Sequence, residues 1–144
     1  MQYVDEYGSE GYFMTNINTL FVDAMFKYKG FSVMAEYADR TADEAIQNVY
    51  GSDSTLYTGN VYTGNGMNFQ LGYIMKNNWE FAGRYTQINP AATTGKDSHT
   101  QYTFGVSKYV VGHKLKVQTD VSYLTSENND NSGLMYRLQF ELHF

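Results

Sequence analysis

The sequence predicts an all-β fold, an antiparallel up-and-down transmembrane β-barrel of which seven strands are present, on three observations. Segments of roughly ten residues alternate apolar and polar side chains with a period of two. The connections between them alternate short and long. Aromatic side chains on the apolar rows gather towards the strand ends, where a bilayer would place its headgroups.

Composition narrows the field before any element is placed. The 144 residues include 14 Tyr, 9 Phe, a single Trp, a single Pro and no Cys, a mixture that favours strands and suits one domain at most. No apolar run exceeds three residues, so a transmembrane helix is excluded. The absence of cysteine removes disulfides, thiolate metal sites and a thiol nucleophile. A net charge of −5 argues against a nucleic-acid partner, which calls for a basic face. The opening Met1-Gln2-Tyr3-Val4-Asp5-Glu6 lacks the basic start and apolar stretch of a secretory signal, so a signal already removed, or a front that is missing, is expected.

The elements follow in order. Residues 1–15 hold scattered acids and glycines without a period-two row and are expected to form the tail of an outer loop. The first segment sets Leu20, Val22, Ala24, Phe26 and Tyr28 against Phe21, Asp23, Met25 and Lys27, and Lys29-Gly30 turns the chain. Phe31, Val33, Ala35 and Tyr37 return, opposed by Ser32, Met34, Glu36 and Arg40. After a long connection, Met67, Phe69, Leu71 and Tyr73 form the third row, and Trp79, Phe81, Gly83 and Tyr85 the fourth, joined by Lys76-Asn77-Asn78. The fifth row is Tyr102, Phe104 and Val106, and the sixth Leu115, Val117, Val121 and Tyr123, with a turn over Val110 to His113. The last runs Leu134, Tyr136, Leu138, Phe140, Leu142 and Phe144. Short turns thus fall at one end, and the long connections Thr41–Asn65, Asn89–Ser98 and Thr125–Gly133 at the other, as in bacterial outer-membrane barrels. Such barrels close with an even number of strands, so seven are expected to be the C-terminal part, residues 16–144, of a larger barrel.

Alternation also suits a soluble sheet with one wet face, so the orientation rests on residue type along each strand. Tyr28, Phe31, Tyr73, Trp79 and Phe144 stand near the short turns; Tyr37, Tyr85, Tyr102, Tyr123 and Tyr136 stand near the long connections. Between them the rows are mostly aliphatic or small, Val22, Ala24, Val33, Ala35, Leu71, Val117 and Leu138, interrupted by Phe69, Phe81 and Phe104. The opposite face holds Lys27, Arg40, Arg84, Lys114, Lys116 and Arg137 with Asp23, Glu36, Glu80, Asp120 and Glu141. Burying so many charges in a dry core would cost more than a domain's whole stability, so this face is read as wet and as the lining of a lumen.

The run Asn18-Thr19-Leu20-Phe21-Val22-Asp23-Ala24-Met25-Phe26-Lys27-Tyr28-Lys29-Gly30-Phe31 with Glu36-Tyr37, together with Gly72-Tyr73, Trp79-Glu80, Arg84-Tyr85 and the terminal Phe144, resembles the phosphate-selective porin O and P family of Bacteroidetes-type bacteria. The resemblance spans about Asn16 to Phe144 and only the C-terminal portion of a family member. It implies a sixteen-stranded, often trimeric outer-membrane channel for anions such as phosphate. It also implies that the terminal aromatic, Phe144, is read by the barrel-assembly machinery. No anion-site motif of the family matches here residue by residue, and the near balance of lumen charges does not by itself favour an anion.

Other chemistry is weakly signalled. Gly64-Asn65-Gly66 lacks the third glycine and the following helix of a dinucleotide loop. His99, His113 and His143 are scattered. The run from Glu127 to Asn131 departs from calcium-loop spacing. Asp97 and His99 form an i, i+2 pair with no identifiable nucleophile. No enzyme activity, metal or cofactor is expected. The leading expectation is a passive channel in contact with outer-membrane lipid and lipopolysaccharide; the alternative is a structural or adhesive barrel within an envelope assembly.

Overall fold

The computed structural model describes residues 2–4, 10–51, 54–110, 115–127 and 132–142. Seven long strands form one antiparallel sheet: β3 (Ile17–Tyr28), β4 (Phe31–Ala42), β7 (Gly64–Ile74), β8 (Trp79–Pro90), β9 (His99–Tyr109), β10 (Leu115–Ser126) and β11 (Gly133–Leu142). Their order across the sheet is that of the chain, β11-β10-β9-β8-β7-β4-β3, an up-and-down meander. These are the seven segments that alternation predicts. Each is 10 to 12 residues long, about twice the usual strand of a soluble domain. The only helix among the described residues is a single 3-10 turn, Ala92–Thr94.

The turn from β3 to β4 uses Lys29 and Gly30, both at positive φ (46° and 87°), the geometry that keeps a two-residue hairpin in step with strand twist. At Gly30 the carbonyl of Ile74 would lie 2.5 Å from an added Cβ, so β7 closes over this turn and only glycine fits. Asn78, at φ 65°, ends the next short turn. The third short turn, over residues 111–113, lies outside the described residues, as do Lys114, His143 and Phe144.

Two short hairpins are not legible as strands in the sequence. Within residues 1–15, β1 (Gln2–Val4) pairs with β2 (Glu10–Tyr12), and within the first long connection β5 (Ile46–Tyr50) pairs with β6 (Leu56–Asn60). Neither belongs to the main sheet. Their segments of three and five residues are too short to establish a row. The second is anchored by tertiary contact: the Phe13 ring lies where a Cβ on Gly59 would sit, and Gln47 donates to the Met14 carbonyl.

Register assigns every strand residue to a face. One face carries the cross-strand row Phe26, Val33, Leu71, Gly83, Phe104, Val121 and Tyr136; the neighbouring row is Ala24, Ala35, Phe69, Tyr85, Tyr102, Tyr123 and Leu134. The other face carries Met25, Met34, Gln70, Arg84, Thr103, Ser122 and Met135 in one row and Lys27, Ser32, Gly72, Ala82, Gly105, Asp120 and Arg137 in the next. Some assignments of level need correction: Val22, expected in the aliphatic middle, shares a row with Tyr37, and Leu138 shares one with Tyr73. Val117, expected in the aliphatic middle, pairs with Lys108 in the row of Trp79, at the turn end. Levels follow register across strands, which position along a single strand does not reveal.

The faces differ in burial opposite to a soluble sheet. Among the described residues no hydrophobic side chain is buried, and the buried polar residues are Ser107, Asp120 and Ser122, all on the polar face. On interior strands, where edge effects are absent, Leu71, Phe69 and Phe104 are 40%, 41% and 52% exposed. The edges of the sheet are β3 and β11, and neither has a neighbour on its outer side among the described residues.

Candidate functional site

The ten described charges expected to share one face do so: Lys27, Arg40, Arg84, Lys116, Arg137, Asp23, Glu36, Glu80, Asp120 and Glu141 all have the same parity in the register. Strand alternation does this, since each lies an even number of residues from its polar-face neighbours. Five carry positive and five negative charge.

Half of them gather around a cavity of about 220 Å³. Its floor is made of small residues, Ala82, Gly83 and Gly105, and its walls include Arg84, Glu80, Lys116, Asp120 and Arg137 with Gln70, Thr103 and Gln118. The floor row begins at Gly72, where an added Cβ would come within 2.6 Å of Ser32 Oγ. That place is filled by the serine, and the space of the cavity is left by the short Ala82 on β8 and by Gly105 on β9.

The walls are cross-linked. Glu80 accepts from the Tyr109 hydroxyl at 2.8 Å, and Lys116 Nζ stands 3.6 Å from the same carboxylate and 5.2 Å from the Tyr109 ring centre. Arg84 Nε donates to Gln70 Oε1 at 3.0 Å. Asn68 donates to Glu36 at 2.7 Å and accepts from Thr86 at 3.0 Å, a chain across three strands. Thr103 and Ser122 share a 2.7 Å hydroxyl contact. Arg137 Nε lies 3.4 Å from Asp120 Oδ1, an ion pair without hydrogen-bond geometry; Asp120 is 7% exposed and that oxygen has no hydrogen-bond donor. The remaining charges lie outside the cavity: Lys27, Arg40, Asp23 and Glu36 on β3 and β4, where Arg40 Nε meets Thr19 at 3.3 Å, and Glu141 on β11.

Tyr109 escapes a sequence reading that ends the fifth segment at Val106 and Ser107 and begins the turn at Val110, leaving the two residues between unassigned. The unbroken parity from Thr103 through Ser107 to Tyr109 is the signal that would have found it. Lys108, its neighbour on the opposite face, escapes for the same reason.

The aromatic pattern becomes sharper once register is known. On the apolar face every Tyr and Trp of the strands lies towards an end: Tyr28, Tyr73 and Trp79 at the turns, Tyr37, Tyr85, Tyr102, Tyr123 and Tyr136 towards the long connections. Of the rings that interrupt the aliphatic rows, Phe104 lies between these levels, whereas Phe69 shares the row of Tyr85 and Phe81 that of Tyr73. The loop-end tyrosines also slant across the register. Tyr85, Tyr102 and Tyr123 share a row; Tyr37 on β4 lies one row nearer the loops, and Tyr136 on β11 one row nearer the turns. That is about 13 Å along the strands over about 24 Å of sheet width, a slant of about 30°. Trp79 departs from the row of Tyr28 and Tyr73 in the same direction.

No known family model matches the chain, and neither the curated proteins nor the solved structures contain a match to it.

Proposed function

We propose that the chain is part of an outer-membrane β-barrel channel, its apolar face towards lipid and its polar face towards a water-filled lumen. The observation that carries this reading is the inverted burial: the hydrophobic side chains of interior strands are exposed while Asp120, Ser107 and Ser122 are buried. A face of exposed apolar side chains extending over seven strands needs an apolar solvent, and its length and strand dimensions suit a bilayer. Amphipathic rings gathered towards both ends of the strands support the same reading. So does the slant of the tyrosines, since barrel strands tilt by roughly 35 to 45° and a level row of headgroups must then cross the register obliquely.

The open edges at β3 and β11, with an odd number of strands, support membership in a larger barrel. The likeness to the phosphate-selective porin O and P family agrees with that size. Selectivity for phosphate has less support, because the described polar-face charges are equal in number. The cavity over Ala82 and Gly105 would be a widening of the passage, with Arg84, Glu80 and Lys116 at its wall.

Single-channel conductance of the full-length protein in planar bilayers tests the proposal. Stepwise openings are expected, with weak selectivity between small cations and anions. Gly105→Leu, which fills the cavity, should lower the step size, and Arg84→Glu should shift the reversal potential towards cation preference. A folded, inserted protein that conducts nothing would overturn the channel reading.

A further inference from the structure

The two ends of the sheet differ in charge. The short connections Lys29-Gly30 and Lys76-Asn77-Asn78 contain no acid, whereas the long ones contain Asp43, Glu44, Asp97 and Glu127 against Lys96. On the apolar face of the seven described strands, two charged residues occur, one at each end: Asp39 beside the loops and Lys108 beside the turns.

Lys108 stands in the row of Trp79 and Val117, and its side chain reaches back towards the turn. Its ammonium donates to the Asn77 carbonyl at 2.7 Å and sits 5.0 Å from the centre of the Trp79 ring. Lys29 places its ammonium 5.2 Å from the Tyr28 ring at the same end. Long cationic side chains with the stem on apolar surface and the head drawn towards water are suited to an interface. An ammonium has three donors, and the Asn77 carbonyl accepts one from Lys108. An anion held there would have apolar surface directly beside it, at Val106 and Val117. A soluble anion gains nothing from that surface, but an anionic amphiphile does.

We infer that the turn end of the apolar face binds anionic phospholipid headgroups, with Lys108 on the phosphate oxygens of a lipid whose acyl chains run along Val106 and Val117, and Lys29, beyond β7 and β8 at the β3–β4 turn, on a second headgroup. This rests on the lipid-facing reading of the apolar face. The charge complementarity is local, because the loop-end rings Tyr37, Tyr85, Tyr102 and Tyr123 stand in an acidic surround. The occupant is therefore a lipid of the leaflet on the turn side, of the phosphatidylglycerol type.

Trp79 is the only tryptophan in the chain, and Trp79→Phe measured in parallel separates its fluorescence from that of any tryptophan elsewhere in the full-length protein. The full-length protein is reconstituted in phosphatidylcholine bilayers in which a fixed fraction of lipid is replaced by acyl-brominated phosphatidylglycerol or, in parallel, by acyl-brominated phosphatidylcholine. Quenching should indicate a preference for the glycerol lipid on the order of fivefold, the effect of one basic residue close to an anionic lipid. Lys108→Gln should bring the ratio close to one, and raising the salt concentration on the unaltered protein should lower it without any mutation. Equal quenching by the two lipids would overturn the inference while leaving the lipid-facing reading intact. Quenching by neither would overturn both.

Discussion

The two faces of the seven strands are made by one backbone and one alternation, yet their side chains make different kinds of contact. On the apolar face, cross-strand neighbours away from the strand ends are mostly hydrocarbon or aromatic; Phe81 and Phe104 stand 6.3 Å apart between ring centres, and Tyr85 and Tyr102 5.2 Å apart. On the polar face, neighbours are joined by hydrogen bonds and ion pairs, among them Glu80 with Tyr109 and Lys116, Asn68 with Glu36, and Thr103 with Ser122. In a soluble sheet the first kind of contact would be buried and the second exposed. Here the polar contacts include the most buried residues, so polarity alone does not tell which face is inside. The size of side chains adds to it: Ala82 and Gly105 line a cavity on the polar face whose walls are the charged and amide side chains.

The contrast breaks most readily by putting a charge on each face in turn. Arg in place of Ala35 or Val121 meets hydrocarbon between the aromatic rows and should cost about 2 to 4 kcal/mol of folding stability in lipid. Gln118→Arg, adjacent in sequence to apolar-face residues but on the polar face, should cost much less because its head meets water. Denaturant unfolding in vesicles measures both, and equal losses would mean that the two faces share one solvent.

That contrast also shows how much was legible. All seven strands could be read from periodicity, because neither a helix nor a loop keeps a period of two for ten residues, as Leu134 to Leu142 does. The shared face of the ten described charges followed from the same parity, although that of Lys108 did not. Level did not, because it depends on how one strand slides against the next: Val117 is near the middle of its own segment's apolar row but beside Lys108 in the sheet. The cavity was equally hidden. Its floor comes from Ala82, Gly83 and Gly105 on two strands, and its walls from four strands and more, so no local pattern announces it. The small hairpin β5–β6 depends on the contact between Phe13 and Gly59, 46 positions apart by their numbers, which alternation cannot detect.

A smaller effect separates the two members of the ion pair on the polar face. Asp120 is buried and Arg137 is about half exposed. Arg137→Ala leaves a buried carboxylate without its cation and should cost about 1 to 2 kcal/mol, reduced from the fully buried case because the arginine itself meets solvent. Asp120→Asn leaves only an exposed guanidinium and should cost less. Reversal of that order in paired unfolding measurements would mean that Asp120 reaches water in the assembled protein.

Smaller again is the hydroxyl contact between Ser122, fully buried, and Thr103. Ser122→Ala leaves the Thr103 hydroxyl to find another partner, and about 1 kcal/mol should be lost. Conductance should be unchanged, since neither side chain is charged. A loss of conductance with stability intact would place this pair in the passage itself rather than in the wall behind it.

The smallest effect expected sharpens the apolar face against itself. Val117 and Val121 lie on the same strand, on the same face, four positions apart. By strand alternation alone they are equivalent, and both would belong to the lipid-facing row. Register separates them. Val121 is opposed by Phe104 and Tyr136, whereas Val117 is opposed by Lys108 and Phe140 and shares its row with Trp79. An arginine at Val117 has a short path to the turn-side headgroups, along the route that Lys108 takes to the Asn77 carbonyl. Its cost should therefore fall to about 0 to 1 kcal/mol, the range for a basic side chain near the interface. Lys108 adds a like charge nearby, so the cost should decrease as salt is raised or when Lys108 is replaced by Gln. A penalty at Val117 as large as that at Val121 would mean that the interface does not follow the slant of the aromatic rows, and that the turn end lies within hydrocarbon.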